Sequence, residues 1–126
     1  MQIILDTNFI LTCIKQEIRL FEQLRDAYPG TRIVVPEQVI AELGSLSKDK
    51  RLKGSERESA DLCLQIIGNE NVIVLDLPEE KADDAIVNYV KKNDGIIVAS
   101  LDRGIKKRLK NKKFLTIKQK KRIVPE

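Results

Sequence analysis

The 126-residue sequence predicts an α/β fold of three layers, with helices on both faces of a central parallel sheet of about five strands. Three observations point there. Short apolar runs of five residues or fewer recur along the chain and alternate with longer stretches of helical periodicity. Turn and helix-start signals such as Pro36, Pro78 and Asn93-Asp94-Gly95 fall between them. The length suits a single domain over 1–126, able to bury about two-thirds of its unfolded surface without staples.

In chain order, Ile3-Ile4-Leu5 is a short buried strand. Residues 8–28 form one or two helices, with Ile10, Ile14, Leu20, Phe21 and Leu24 facing inward. Ile33-Val34-Val35 is the second strand, ended by Pro36, which suits the first turn of a helix carrying Val39, Ile40 and Leu43. The polar stretch 44–57 reads as a mobile loop or ragged helix end. A helix spans Ser59 to Ile67, and Val72 to Leu75 is the third strand. Pro78 and two glutamates open a helix over 79–92, their negative charge matching the helix dipole. Ile96 to Ala99 is the fourth strand, Arg103 to Lys110 a short basic helix, and Phe114 to Ile117 the fifth strand.

Composition excludes several chemistries. Histidine is absent, which removes Ser-His-Asp and Cys-His catalysis and every histidine metal site. Two cysteines, Cys13 and Cys63, are too few for a disulfide framework or a cysteine-only zinc site and read as small core residues in a reducing cytoplasm. No apolar run is long enough for a membrane span or a signal-peptide core. Metal chemistry must therefore run on carboxylates, which suit hard cations such as Mg²⁺ or Mn²⁺. Charge is unevenly spread: residues 101–126 hold eleven Lys/Arg, Lys120 among them, against two acids, a net +9. The first hundred residues carry twelve bases against seventeen acids, a net −5. A basic end on an acidic body suits a polyanion partner, or is simply a solvated surface.

In open parallel sheets, ligands bind at the carboxyl ends of the strands. Asp6 follows the first strand directly and Asp102 follows the fourth by three residues, so both project at that edge; each is also placed to cap the following helix. With Val39, Ile40 and Leu43 inward, Glu42 lies about 100° from the centre of the buried face. Glu37 lies slightly further round on the opposite border, and both glutamates also read as solvated. In the helix over 79–92, Ala82, Ala85, Ile86, Tyr89 and Val90 face inward, which puts Asp83 at the edge of that face and Asp84 roughly opposite. Asp6, Glu42, Asp83 and Asp102 can thus converge on one edge. Such clustered carboxylates repel unless a divalent cation sits among them.

These segments resemble the PIN-domain nucleases over nearly the whole chain and in the right order. Ile3-Ile4-Leu5-Asp6-Thr7-Asn8 resembles the family's opening strand and first acid. Val35 to Leu43 resembles its second strand and the helix bearing the second acid, here Glu42. Ala82-Asp83-Asp84-Ala85-Ile86 matches the helix start with the third acid, the doubled aspartate leaving Asp83 and Asp84 both as candidates. Ile97 to Arg103 is similar to the strand ending in Thr/Ser-x-Asp, with Ser100 where many members have threonine. Within the family the chain looks closest to small archaeal members related to the nuclease of eukaryotic small-subunit rRNA maturation; toxin nucleases of toxin–antitoxin pairs share the core.

The resemblance implies a cytoplasmic endoribonuclease that hydrolyses RNA phosphodiesters, in rRNA processing or as a toxin. Asp6, Glu42, Asp83, Asp84 and Asp102 would hold one or two Mg²⁺ or Mn²⁺ ions, with Asn8 and Ser100 orienting the acids. Arg103, Lys106, Lys107 and Arg108 would attract the RNA backbone rather than read bases. A homodimer and an antitoxin or ribosome-assembly partner are implied in the same way. The alternative is a non-catalytic RNA-binding module for ribosome assembly on the same fold, although a pure RNA binder gains nothing from a negative pocket. Two phosphoryl-transfer readings fit less well. A haloacid-dehalogenase-like enzyme wants an aspartate where Asn8 stands, and a receiver domain built on Asp76 wants paired acids after the first strand.

Overall fold

The computed structural model describes residues 1–119 and 121–126; Lys120, counted above in the basic end, lies outside the described residues. The elements in chain order are β1 (Gln2–Leu5), α1 (Thr7–Lys15), α2 (Leu20–Ala27), β2 (Arg32–Pro36), α3 (Glu37–Lys48) and α4 (Gly54–Asn69). Then follow β3 (Val72–Leu75), α5 (Ala82–Lys92), β4 (Ile96–Ala99), α6 (Arg103–Arg108), β5 (Lys113–Lys118) and β6 (Arg122–Pro125). Among the described residues the sheet runs β3-β2-β1-β4-β5-β6, with only the β5–β6 pair antiparallel.

The expected three-layer architecture follows from alternation along the strands. Ile3, Leu5, Ile33, Val35, Ile97, Ala99 and Leu115 face one core, filled by Phe9, Ile10, Cys13, Phe21, Leu24, Val39, Leu43 and Cys63 from α1 to α4. Ile4, Val34, Ile96 and Val98 face the other, filled by Ile86, Val87, Val90 and Ile105 from α5 and α6. Central strands buried on both faces read as continuous apolar runs, which is why the sequence exposed them. At the edge strand β3 that logic lapses, and Ile73 and Val74 are exposed.

One open point is resolved and three features differ from the sequence expectation. Residues 8–28 divide where Glu17 takes a left-handed backbone (φ 58°) and Ile18 N–H donates back to Cys13 O at 2.8 Å. The stretch 44–57 is mostly helix: α3 runs to Lys48 and α4 starts at Gly54, leaving only 49–53 between them. Asp49 accepts from Arg51 N at 3.0 Å and Arg57 donates to Leu52 O at 2.5 Å, so this short turn is locally held despite its polar composition. The helix expected from residue 79 begins at Ala82, and its first-turn acids are Asp83 and Asp84 rather than the two glutamates. Gln38 Nε2 donates to Leu77 O at 2.9 Å and also to Glu79 O, holding that segment out of the helix. Finally, a sixth strand closes the sheet, pinned by Gln23: Ile123 N–H donates to its Oε1 and its Nε2 donates to Lys121 O, both at 2.9 Å. Its apolar run is only Ile123-Val124, partly buried and shorter than those of the central strands.

Cys13 and Cys63 are buried as expected, and burial pushes both thiols up to about 12. Protonated thiols of this kind are inert. Among the described residues, no helix is long and apolar enough to cross a membrane.

Candidate active site

The strand order reverses direction at β1: the chain first moves outward to β2 and β3, then returns to β4 on the other side. Such a switch point leaves a crevice at the carboxyl ends of the two flanking strands. Leu5 pairs with Ala99, so the next residues on each strand, Asp6 and Ser100, emerge side by side. The Asp6 amide donates to Ala99 O at 3.0 Å and completes that register.

Asp6 is 7% exposed and Ser100 is fully buried. The Ser100 hydroxyl donates to Asp6 Oδ2 at 2.8 Å and accepts from the Asp102 amide at 3.1 Å. The other Asp6 oxygen, Oδ1, accepts from Thr7 N–H at 2.9 Å. Thr7 in turn donates its hydroxyl to Glu42 Oε2 at 2.7 Å. One bonded chain therefore runs from Glu42 through Thr7 and Asp6 to Ser100 and Asp102. Burial raises the Asp6 carboxyl above its ordinary value; the Ser100 and Thr7 bonds oppose the shift, while the charges of Glu42 and Asp102 add to it.

The capping alternatives are present together with this chain. Asp102 caps α6, accepting from Gly104 N–H at 2.7 Å and Ile105 N–H at 3.4 Å through Oδ1. Asp6 occupies the N-cap position of α1. Glu42 is exposed at the border of the buried face of α3, as its wheel position implies.

Asp83 and Asp84 form a separate group. The wheel placed them on different faces, but both are half-buried, with side chains 47% and 43% exposed. Asp83 Oδ1 accepts from the Asp84 amide at 2.9 Å. Arg108 Nη1 lies 2.8 Å from Asp84 Oδ1 and 4.0 Å from Asp83 Oδ2. Asp84 is thus ion-paired rather than left to solvent. The side chain on which that difference turns comes from α6, and a wheel drawn for α5 alone cannot see it.

Arg108, expected on the RNA surface, is consequently engaged with carboxylates, and Lys106 is paired with Glu126. Arg103 and Lys107 are exposed and, among the described residues, form no ion pair. Asn8 is exposed, and the hydrogen bonds just described do not involve it. Thr7 escaped the sequence reading; its signal was a hydroxyl directly beside the first acid. Thr7→Val should lower any activity of this site by about 10- to 100-fold while leaving the fold intact, as expected when a side chain that orients a ligand is lost. Activity assays paired with a melting curve check it.

The donor chemistry fits a hard divalent cation: every candidate ligand is a carboxylate oxygen, and a buried aspartate stands between two further acids. Among the described residues, however, no three acids lie close enough together to hold an ion as they stand.

A switch-point carboxylate site on a three-layer α/β sheet defines the class. A family model described as a PIN like domain matches residues 3–122, and the chain belongs to that family. Nucleases of this family generally use divalent metals. Ribonuclease VapC4 of Methanocaldococcus jannaschii is 34% identical over 123 residues, spanning 95% of this chain and 92% of its own. The rRNA-processing protein fcf1 of Schizosaccharomyces pombe is 32% identical over 111 residues, 86% of this chain but only 53% of its own length. The solved structure of the PIN domain endonuclease Utp24 superposes with a TM-score of 0.81 at 29% identity, covering 99% of this chain and 90% of that one.

Proposed function

We propose that residues 1–126 act as one PIN-like domain, a cytoplasmic endoribonuclease dependent on Mg²⁺ or Mn²⁺. The observation that carries this reading is the buried Asp6, held by Ser100 and Thr7 and flanked by Glu42 and Asp102. Buried carboxylates raised by desolvation and neighbouring like charges cluster at functional sites. The activities named for the relatives agree with this reading.

Asp6, Glu42, Asp102 and one of Asp83 or Asp84 would hold the cation. When bound, it supplies charge neutralisation to the scissile phosphodiester and lowers the pKa of the attacking water. Ser100 fixes the Asp6 carboxylate and the start of α6 together, Thr7 fixes Glu42, and Asn8 is the remaining polar side chain beside them. The approach of RNA is set by charge. On the α3 side lies a groove of about 530 Å³ lined by Glu37, Glu42, Asp49 and Glu80, which repels phosphate. On the other side α6 presents Arg103 and Lys107. The strand therefore enters over α6, held by backbone contacts rather than base readout.

The relatives suggest two settings. As a toxin-type ribonuclease the chain would meet an antitoxin protein; as an rRNA-processing enzyme it would meet ribosome-assembly partners. A homodimer accords with either. A second reading, a non-catalytic RNA-binding module, draws on the acids standing apart without three of them converging among the described residues.

Incubating labelled single-stranded RNA with Mn²⁺ or Mg²⁺, beside an EDTA control, separates the two. Cleavage that requires the metal is expected. RNA binding without cleavage, over many RNAs and both metals, would favour the non-catalytic module. Replacing both Arg103 and Lys107 by alanine should weaken RNA binding and reduce the slope of log K against log salt by about 1.4, roughly 0.7 for each phosphate no longer neutralised. An unchanged slope would place the RNA path elsewhere.

A further inference from the structure

Arg108 is placed to do more than attract RNA. It ends α6, the helix that Asp102 opens, so one six-residue helix joins the two separate groups of acids. A single nitrogen, Nη1, faces both Asp84 at 2.8 Å and Asp83 at 4.0 Å. Asp83 has already committed Oδ1 to the Asp84 amide, which leaves Oδ2 toward the guanidinium. Two adjacent carboxylates at one helix start repel each other, and here an arginine lies beside both.

We propose that Arg108 is an exchangeable counter-ion: it holds Asp83 and Asp84 before substrate arrives, yields one of them to the divalent cation, and passes its guanidinium to an RNA phosphate. The proposal rests on the nuclease reading above. Its chemistry follows from exposure and geometry. The three side chains are 42%, 47% and 43% exposed, so exchanging the pair costs little desolvation. The contact uses one guanidinium nitrogen rather than the two-pronged geometry of a strong pair. A cation at the C-terminal end of α6 remains favoured by the helix dipole, so the freed side chain stays at the site. The planar guanidinium then offers two parallel donors to a phosphate, which a lysine ammonium cannot do. Lys106, on the same short helix, is tied to Glu126 and is not available for the same task.

Mn²⁺ titration calorimetry on the full chain, without RNA, tests the exchange. Arg108→Ala should bind Mn²⁺ about two- to fivefold more tightly than the wild type, the scale of one half-exposed ion pair. Arg108→Lys, which keeps the charge, should stay near the wild type. Arg103→Ala removes a neighbouring charge that touches neither aspartate, and should change the affinity less than Arg108→Ala does. At saturating Mn²⁺, both Arg108 variants should cleave RNA with lower kcat/KM, because both lack the planar fork. The proposal falls if Arg108→Ala binds Mn²⁺ no more tightly than the wild type, or if Arg103→Ala tightens binding equally. A wild type that cleaves no RNA would defeat the nuclease reading alone; the Mn²⁺ titrations would still decide what Arg108 does.

Discussion

Asp6→Asn should lower metal-dependent RNA cleavage by at least about 10³-fold and, in EDTA, make the protein harder to unfold. The loss follows from removing the charged oxygen at the centre of the bonded chain, since electrostatic stabilisation at such a site is commonly the largest catalytic contribution. The gain in stability follows from the direction of the Asp6 shift. Burial, before any other cause, raises its carboxyl, so the folded state holds a proton over a pH range where the unfolded chain has released it. Stability from this group is therefore fully present below the ordinary aspartate pKa and is lost as pH rises through the raised value. At neutral pH the ionised carboxylate is a cost. Asparagine removes the charge and keeps the shape: its oxygen can accept from Thr7 N–H, and its amide can donate to the Ser100 hydroxyl. A melting temperature above that of the wild type is expected in EDTA. Mn²⁺ should raise the melting temperature of the wild type by mass action and leave the variant nearly unmoved. A variant that melts lower in EDTA would show that the two hydrogen bonds to the ionised carboxylate outweigh its burial.

Ser100→Ala is expected to reduce cleavage by about 10- to 100-fold and to destabilise the protein by about 1–3 kcal/mol. Its hydroxyl is fully buried and serves two partners, Asp6 Oδ2 and the Asp102 amide. Alanine leaves both without that partner. The Ser100 bond also favours the ionised form of Asp6, so its loss moves the Asp6 carboxyl further up. The acid limb of the pH–rate profile should shift to higher pH accordingly. Ser100→Thr keeps the hydroxyl and should restore both the rate and the profile. An unshifted profile in Ser100→Ala would mean that the hydroxyl supports the fold without tuning the acid.

The sheet was legible because its central strands are buried on both faces and write themselves as unbroken Ile/Val/Leu runs. β6 was not, since an antiparallel edge strand needs no such run and is held instead by the side chain of Gln23, about a hundred positions earlier. The positions of Asp6 and Asp102 were legible because strand ends are local facts. Thr7 and Ser100 act through contacts 35 and 94 positions apart, which periodicity cannot carry. Resemblance to other sequences flagged Ser100 but supplied no such hint for Thr7. The tie between Arg108 and the Asp83/Asp84 pair was hidden for the same reason: its charge suggested a nucleic-acid surface, and only the meeting of α5 and α6 shows which acids it faces.

The pairing of β1 with β4 also bears on how such a site is assembled. Asp6 leaves the ribosome 94 positions ahead of Ser100, yet each needs the other to be held. A chain still short of β4 carries the first acid with neither its hydroxyl partner nor the Asp102 that follows. Domains fold as units while they emerge from the ribosome. A site with this order of parts stays incomplete until β4 has followed β1 out of the ribosome.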